Sequence, residues 1–220
     1  MQIVNIIFDL DGTLLNTLDD LAASTNHALR ACGYPARTTE EVRQFVGNGV
    51  GKLIERAVPA DTTAEDMERC LTYFRHHYAD HCLDCTVPYP GIQAMLSELH
   101  QQGIAMAIVS NKLQPAVAEL NQRYFAPTIS IAVGETEQLR RKPAPDMLQQ
   151  AMRIMGATET DTIYVGDSEV DVLTAQAAHL PCISVTWGFR DRDFLLRHGA
   201  TTLISTPQQL IDYVNLPINR

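Results

Sequence analysis

Asp9-Leu10-Asp11-Gly12-Thr13 puts two carboxylates two positions apart, directly after the apolar run Ile3–Phe8. Period-2 geometry would aim both the same way if a strand simply continued. Gly12 lets the chain turn instead, so the two acids acquire different surroundings and can serve separately as nucleophile and proton donor. The turn through Gly12 and Thr13 also presents main-chain N–H groups that can cradle an anion. A carboxylate that attacks a phosphate dianion meets strong repulsion, roughly 4 kcal/mol for unit charges about 4 Å apart at an effective dielectric of about 20. Positive charge has to stand between them. Asp167 and Asp171, opening a predicted helix, offer hard oxygen ligands suited to Mg²⁺ with retained waters and a phosphate oxygen. Lys142, in Arg140-Arg141-Lys142-Pro143-Ala144-Pro145, can add a second positive charge. Ser110 and the main-chain amides from Asn111 onward can hydrogen-bond the transferring phosphoryl oxygens.

These groups are far apart in sequence, so something must bring them together. From about Pro88 onward, short apolar runs alternate with segments of helical period, the pattern of a doubly wound parallel sheet covered on both faces. Strands are predicted over Ile3–Phe8, Ile104–Val109, Ile129–Val133, Thr162–Val165, Cys182–Val185 and Thr202–Ile204, and helices over Ile92–Gln102, Gln114–Tyr124, Pro145–Met155 and Glu169–Ala178. Three of the strands run into Asp9, into Ser110-Asn111-Lys112 and into Gly166-Asp167. In an open parallel sheet the carboxyl ends of neighbouring strands share one crevice, which is where such folds bind ligands.

The stretch 16–87 reads differently, as an all-helical insert within a Rossmann-like core made of 1–15 and 88–220. Leu18, Leu21, Ala22, Thr25, Ala28, Leu29 and Cys32 recur at helical spacing, and Thr38 with Glu41 and Thr63 with Asp66 resemble capping boxes. Pro88-Tyr89-Pro90-Gly91 is a stiff return to the sheet.

Composition narrows the partners. A formal net charge of −9 over 220 residues, with no Lys/Arg block, argues against a nucleic-acid groove or an anionic membrane surface and favours a small soluble ligand. No basic segment precedes the short N-terminal apolar run, so neither a signal peptide nor a span fits, and the expected compartment is the cytoplasm. Five scattered cysteines suit reduced thiols better than a disulfide framework. The chain is compatible with a monomer or a homodimer.

Four segments in fixed order, Asp9-Leu10-Asp11-Gly12-Thr13, Ser110-Asn111-Lys112, Lys142-Pro143 and Gly166-Asp167-Ser168-Glu169-Val170-Asp171, resemble the motifs of the haloacid dehalogenase superfamily across the whole chain. The resemblance implies a Rossmann-like core with a helical cap inserted after the first motif. It implies that Asp9 is the nucleophile, that Asp11 protonates the leaving group and then activates water, and that Ser110 and Lys142 hold the phosphoryl group. Mg²⁺ would be bound by the Asp9 carboxylate, the Asp11 main-chain carbonyl and Asp167, with Asp171 supporting the shell. An acid at position 11 resembles the phosphatases rather than the dehalogenases or phosphonate hydrolases. Phe45-Val46-Gly47-Asn48-Gly49-Val50 and Pro88-Tyr89-Pro90-Gly91 further resemble the phosphoglycolate phosphatase branch, although Asn16 stands where that branch often carries Asp.

The same nucleophile also suits a phosphohexose mutase or a pyrophosphatase, and a non-catalytic phospho-accepting module is the competing class. Gly47-Asn48-Gly49, with Lys52 and Arg56, is either a helix start that holds a substrate carboxylate or a plain inter-helix turn. His76, His77, His81, Cys82 and Cys85 are read as the end of a helix rather than as a zinc site. Arg190, Arg192 and Arg197 are read as a solvated helix face, and Trp187 and Phe189 as packing residues whose place after a strand end leaves a site role open.

Overall fold

The computed structural model describes residues 3–216. Residues 15–87 form one compact unit, and the described residues on either side of them form another. In chain order the strands are β1 (Asn5–Phe8), β2 (Leu15–Asn16), β3 (Val87–Pro88), β4 (Ala105–Leu113), β5 (Ile131–Glu135), β6 (Thr162–Gly166), β7 (Cys182–Val185) and β8 (Thr202–Ile204). The helices are α1 (Leu18–Ala31), α2 (Thr39–Phe45), α3 (Val50–Ala57), α4 (Ala64–His81), α5 (Ile92–Gln101), α6 (Gln114–Tyr124), α7 (Asp146–Met155), α8 (Glu169–Ala177), α9 (Arg192–Arg197) and α10 (Pro207–Asn215).

The larger unit is an α/β sheet in the order β5-β4-β1-β6-β7-β8, with parallel neighbours throughout. The chain begins in the middle at β1, builds outward through β4 and β5, and then returns to lay β6 against the free side of β1. That reversal makes β1 the switch point, so the crevice past its carboxyl end is flanked by β4 and β6. β1 is buried along its whole length, which is why it reads as an unbroken apolar run. Its residues serve opposite layers alternately. Ile7 packs with Ala107, Tyr164, Met147 and Leu148, and Phe8 lies with Ile92, Met95, Val165 and Leu210. Each such side chain contributes about 1.5–3 kcal/mol of burial.

Two boundaries depart from the sequence reading. β5 starts at Ile131, not Ile129, because Ile129 is tied to the end of α6: its N–H donates to Phe125 O at 2.8 Å and its carbonyl accepts from Asn121 Nδ2 at 3.1 Å. β4 runs on past Val109, and between Val109 and Leu113 its register against β5 shifts. The helix α10, opened by a Thr206–Gln209 capping box, lies beyond the predicted elements. Arg190 is a correction: it precedes α9, is 8% exposed, and its Nε donates to Glu169 at 3.0 Å.

The unit 15–87 contains four helices, begins with β2 and ends at the first residue of β3, the strand with which β2 pairs. Leu21, Leu29, Val42, Ile54, Phe74 and Tyr78 form its core. Thr38 and Glu41 make the reciprocal capping box, whereas Thr63 only accepts from Asp66 N–H, and the Asp66 carboxylate turns to Arg69 at 2.8 Å instead. Asp20, 2% exposed, accepts from Cys85 N–H at 2.9 Å and from Thr86 N–H at 2.8 Å. His77 is stacked between His27 and His81. No helix among the described residues is long and apolar enough to cross a membrane.

Candidate active site

Asp9 leaves β1 with its N–H still in the sheet, donating to Val165 O at 2.8 Å. The chain then turns, Leu14 N–H reaching back to Leu10 O at 3.0 Å, and Gly12 sits at a φ of 84°. That turn needs a glycine twice over: the left-handed backbone disfavours a side chain, and a Cβ there would lie 2.4 Å from Asp167 Oδ2. Both donors to Asp9 converge on one oxygen, Leu10 N–H at 2.7 Å and Lys142 Nζ at 2.8 Å on Oδ1. Oδ2 keeps its lone pairs.

Asp167 and Asp171 come from the end of β6 and the first turn of α8. Asp167 accepts from Phe189 N–H at 2.7 Å on Oδ2 and from the Thr13 hydroxyl at 3.4 Å on Oδ1. Asp171 is the organiser. Its Oδ1 accepts from Lys142 Nζ and from the Tyr164 hydroxyl, each at 2.8 Å. Its Oδ2 accepts from Ser168 Oγ at 2.7 Å and from the main-chain N–H groups of Ser168 and Asp167 at 3.1 and 3.2 Å. The capping box that starts α8 therefore also fixes a site residue. Lys142, 3% exposed, completes the network with Tyr164 Oη at 3.0 Å.

The register shift in β4 carries Ser110, Asn111 and Lys112. Bulged strands re-aim side chains, and three neighbours here take three separate tasks. Ser110, 2% exposed, accepts from Lys112 N–H at 3.2 Å and keeps its own hydroxyl hydrogen to donate. Lys112 Nζ lies 3.2 Å from Asp11 Oδ1. The approach is an ion pair without hydrogen-bond geometry, for Asp11 Oδ1 is buried and has no hydrogen-bond donor. Asn111, expected to face the phosphoryl group, applies both ends of its amide to the Lys142 main chain, accepting from its N–H at 2.7 Å and donating to its carbonyl at 3.0 Å. It positions the segment that bears Lys142.

Charge in this cluster is unbalanced. Oxygens of Asp9, Asp167 and Asp171 lie within 4.8 Å of one another, and this is the one group of potential metal-ligating side chains so assembled among the described residues. Burial, then the Asp171 charge, raises the Asp9 carboxyl to about 7 against the pull of Lys142. Burial and the neighbouring Asp171 and Asp9 hold Asp167 well above the usual carboxylate range. Burial would raise Asp171 too, but Lys142 and the hydrogen bonds around it keep it below its ordinary value. The same carboxylates hold Lys142 protonated despite its burial. A cluster short of positive charge, with Asp9 Oδ2 unspent and Asp167 Oδ1 met only by a long 3.4 Å hydroxyl contact, fits a hard divalent cation.

Tyr164 and Phe189 are the residues that the sequence reading did not assign to the site. Tyr164 is hidden because its ring belongs to the apolar layer and only its hydroxyl reaches the charges. The Phe189 contribution is a main-chain N–H, which no side-chain pattern signals, and Trp187 Nε1 donates to Thr13 O at 3.0 Å beside it. Asn48 lies in the other unit, at a φ of 63° between Gly47 and Gly49 and ahead of α3. The cations beside it are occupied: Arg56 donates to Phe45 O and Gly47 O, and Lys52 pairs with Glu55.

The haloacid dehalogenase-like hydrolase family model matches residues 6–185. A phosphoglycolate phosphatase of Pseudomonas fluorescens is 34% identical over 213 residues, covering 94% of this chain and 78% of that protein. One from Mesorhizobium japonicum is 36% identical over 195 residues, covering 85% and 84%. The crystal structure of a Lactobacillus delbrueckii protein, proposed to be a phosphoglycolate phosphatase, matches with a TM-score of 0.93 and 35% identity over 97% of this chain and 99% of that one.

Proposed function

The chain belongs to the haloacid dehalogenase-like hydrolases and is a phosphoric monoester hydrolase, and from that premise we propose that it hydrolyses phosphoglycolate, or a closely similar small carboxylated ester, through a phospho-aspartate at Asp9 with Mg²⁺ alongside. The observation that carries this reading is the asymmetry of Asp9, with Oδ1 pinned by two donors and Oδ2 unspent.

Oδ2 attacks phosphorus and the bond to the ester oxygen breaks. Asp11, in its protonated form, delivers a proton to the departing alkoxide. The same carboxylate then takes a proton from water as the water oxygen attacks phosphorus, which releases inorganic phosphate and restores Asp9. Ser110 donates its hydroxyl to a phosphoryl oxygen and Lys142 contributes positive charge beside Asp9. The Gly12 and Thr13 amides line the turn that receives the anion. Asp9, the Asp11 carbonyl and Asp167 would hold Mg²⁺, which would supply charge that offsets the repulsion between phosphate and nucleophile, while Asp171 fixes the surroundings.

The name shared by the relatives supports phosphoglycolate. Five free cysteines are in keeping with a cytoplasmic enzyme. The test is phosphate release from phosphoglycolate and from neutral phosphomonoesters, with Mg²⁺ and with chelator, using Asp9→Asn as the blank. The variant is expected to fold and to lose turnover by roughly 10⁴-fold or more. Steady turnover by Asp9→Asn removes the mechanism. Equal kcat/KM for acidic and neutral esters removes the substrate assignment.

A further inference from the structure

The chain has three lysines, and two of them stand at opposite ends of the site. Lys52 is at the surface, paired with Glu55. Lys142 Nζ lies 2.8 Å from Asp9 and Lys112 Nζ lies 3.2 Å from Asp11, with side chains only 4% and 8% exposed. In phosphoryl transfer the attacking and leaving oxygens stand roughly in line on either side of phosphorus. With Asp9 as nucleophile and Asp11 as proton donor, Lys142 serves the entering end and Lys112 the departing end. One strand end sets both cations: Asn111 grips the main chain of Lys142, and the N–H of Lys112 donates to Ser110 Oγ at 3.2 Å.

We infer that Lys112 receives the carboxylate carried by the leaving group and so selects esters whose acid lies one methylene from the bridging oxygen, an inference that rests on the phosphoglycolate reading. A proton donor works within about 3 Å of the oxygen it protonates, so Lys112 Nζ lies within roughly 6 Å of the departing oxygen. A carboxylate one methylene from that oxygen comes within hydrogen-bond reach of Nζ. The hold of Lys112 on Asp11 does not forbid this. Asp11 Oδ1 has no hydrogen-bond donor, so the 3.2 Å approach is one of charge alone. An ammonium carries three N–H donors and can bond a substrate oxygen while staying beside Asp11. Burial of the lysine strengthens its attraction for an incoming anion.

The test is phosphate release in Mg²⁺ from matched acidic and neutral esters. The short pair is phosphoglycolate with 2-hydroxyethyl phosphate, and the long pair is 4-phosphooxybutyrate with 4-hydroxybutyl phosphate. What is compared is the acid preference, the ratio of the two kcat/KM values within a pair, from which any effect of the lysine on Asp11 itself cancels. Lys112→Met is expected to lower the short-pair preference roughly 10- to 100-fold, mainly through KM for phosphoglycolate. Lys112→Arg should keep most of it. In the wild-type enzyme the preference should be smaller for the long pair, whose carboxylate overshoots the lysine. A short-pair preference that survives Lys112→Met overturns the inference and makes Lys112 a positioning residue for Asp11, while the phosphoglycolate reading stands. Equal wild-type preference in both pairs overturns it as well, and needs no variant to fold. A wild-type enzyme with no acid preference removes the phosphoglycolate reading, and the role of Lys112 with it.

Discussion

Two buried carboxylates, one in each unit, are handled in opposite ways. Asp20, in the helical unit, is met by main-chain N–H groups of Cys85 and Thr86 and needs nothing more. Asp9, in the sheet unit, shares its surroundings with Asp167 and Asp171 around a single lysine, and its carboxyl is driven up to about 7. A carboxylate satisfied by amides is architecture, because its charge is matched locally and its lone pairs are committed. A carboxylate crowded by others, with one oxygen unspent, is prepared for a cation and an electrophile.

The comparison is broken most directly at Lys142. Lys142→Met leaves Asp9 and Asp171 without their common partner, and unfolding in urea should show a loss of about 3–5 kcal/mol at neutral pH. A near-neutral effect would mean that the lysine is not what tolerates the crowded acids. Next comes the cation. Because the Asp9 and Asp167 carboxyls are raised above an ordinary 3.8, each contributes stability to the cation-free protein at low pH that is lost as pH climbs, for Asp9 through about 7. Mg²⁺, the proposed cation, would bind the ionised forms, so its stabilisation should be small near about pH 5 and reach about 2.7 kcal/mol near about pH 8 at a hundredfold excess over Kd. Melting temperatures with and without chelator that differ equally at both pH values would dismiss the carboxylates as ligands.

On the other side of the comparison, Asp20→Ala strands buried N–H groups and should cost about 2 kcal/mol, seen as faster amide exchange at Cys85 and Thr86. The smallest effect sharpens the picture: Tyr164→Phe removes one hydroxyl from Lys142 and Asp171 and should cost about 1 kcal/mol, or roughly fivefold in kcat with KM nearly unchanged. A change in KM alone would place Tyr164 in substrate binding instead.

The strands were legible where burial on both faces makes an uninterrupted apolar run, as in β7, whose predicted and observed limits coincide. They were less so where a long-range contact overrides local pattern, as when Asn121 ties Ile129 to α6. The acids at the strand ends were visible because polar residues interrupt apolar runs there. Their partners were not: Arg190 with Glu169 and Lys112 with Asp11 are pairs separated widely in sequence, and the main-chain N–H of Phe189 leaves no mark in residue type. Only the topology, with β4 and β6 on either side of β1, makes those encounters necessary.

Around the carboxylates the chain has no side chain at three positions. A methyl group at Gly12 or Gly188 would fall 2.4 Å from an Asp167 atom, and one at Gly166 would fall 2.4 Å from the Asp171 side chain. The Asp167 and Asp171 side chains are thus packed directly against bare peptide. One added carbon at any of the three would push Asp167 or Asp171 out of place without altering a single charged residue in the sequence, so loss of activity in natural or laboratory variants can arise at glycines that carry no chemistry of their own.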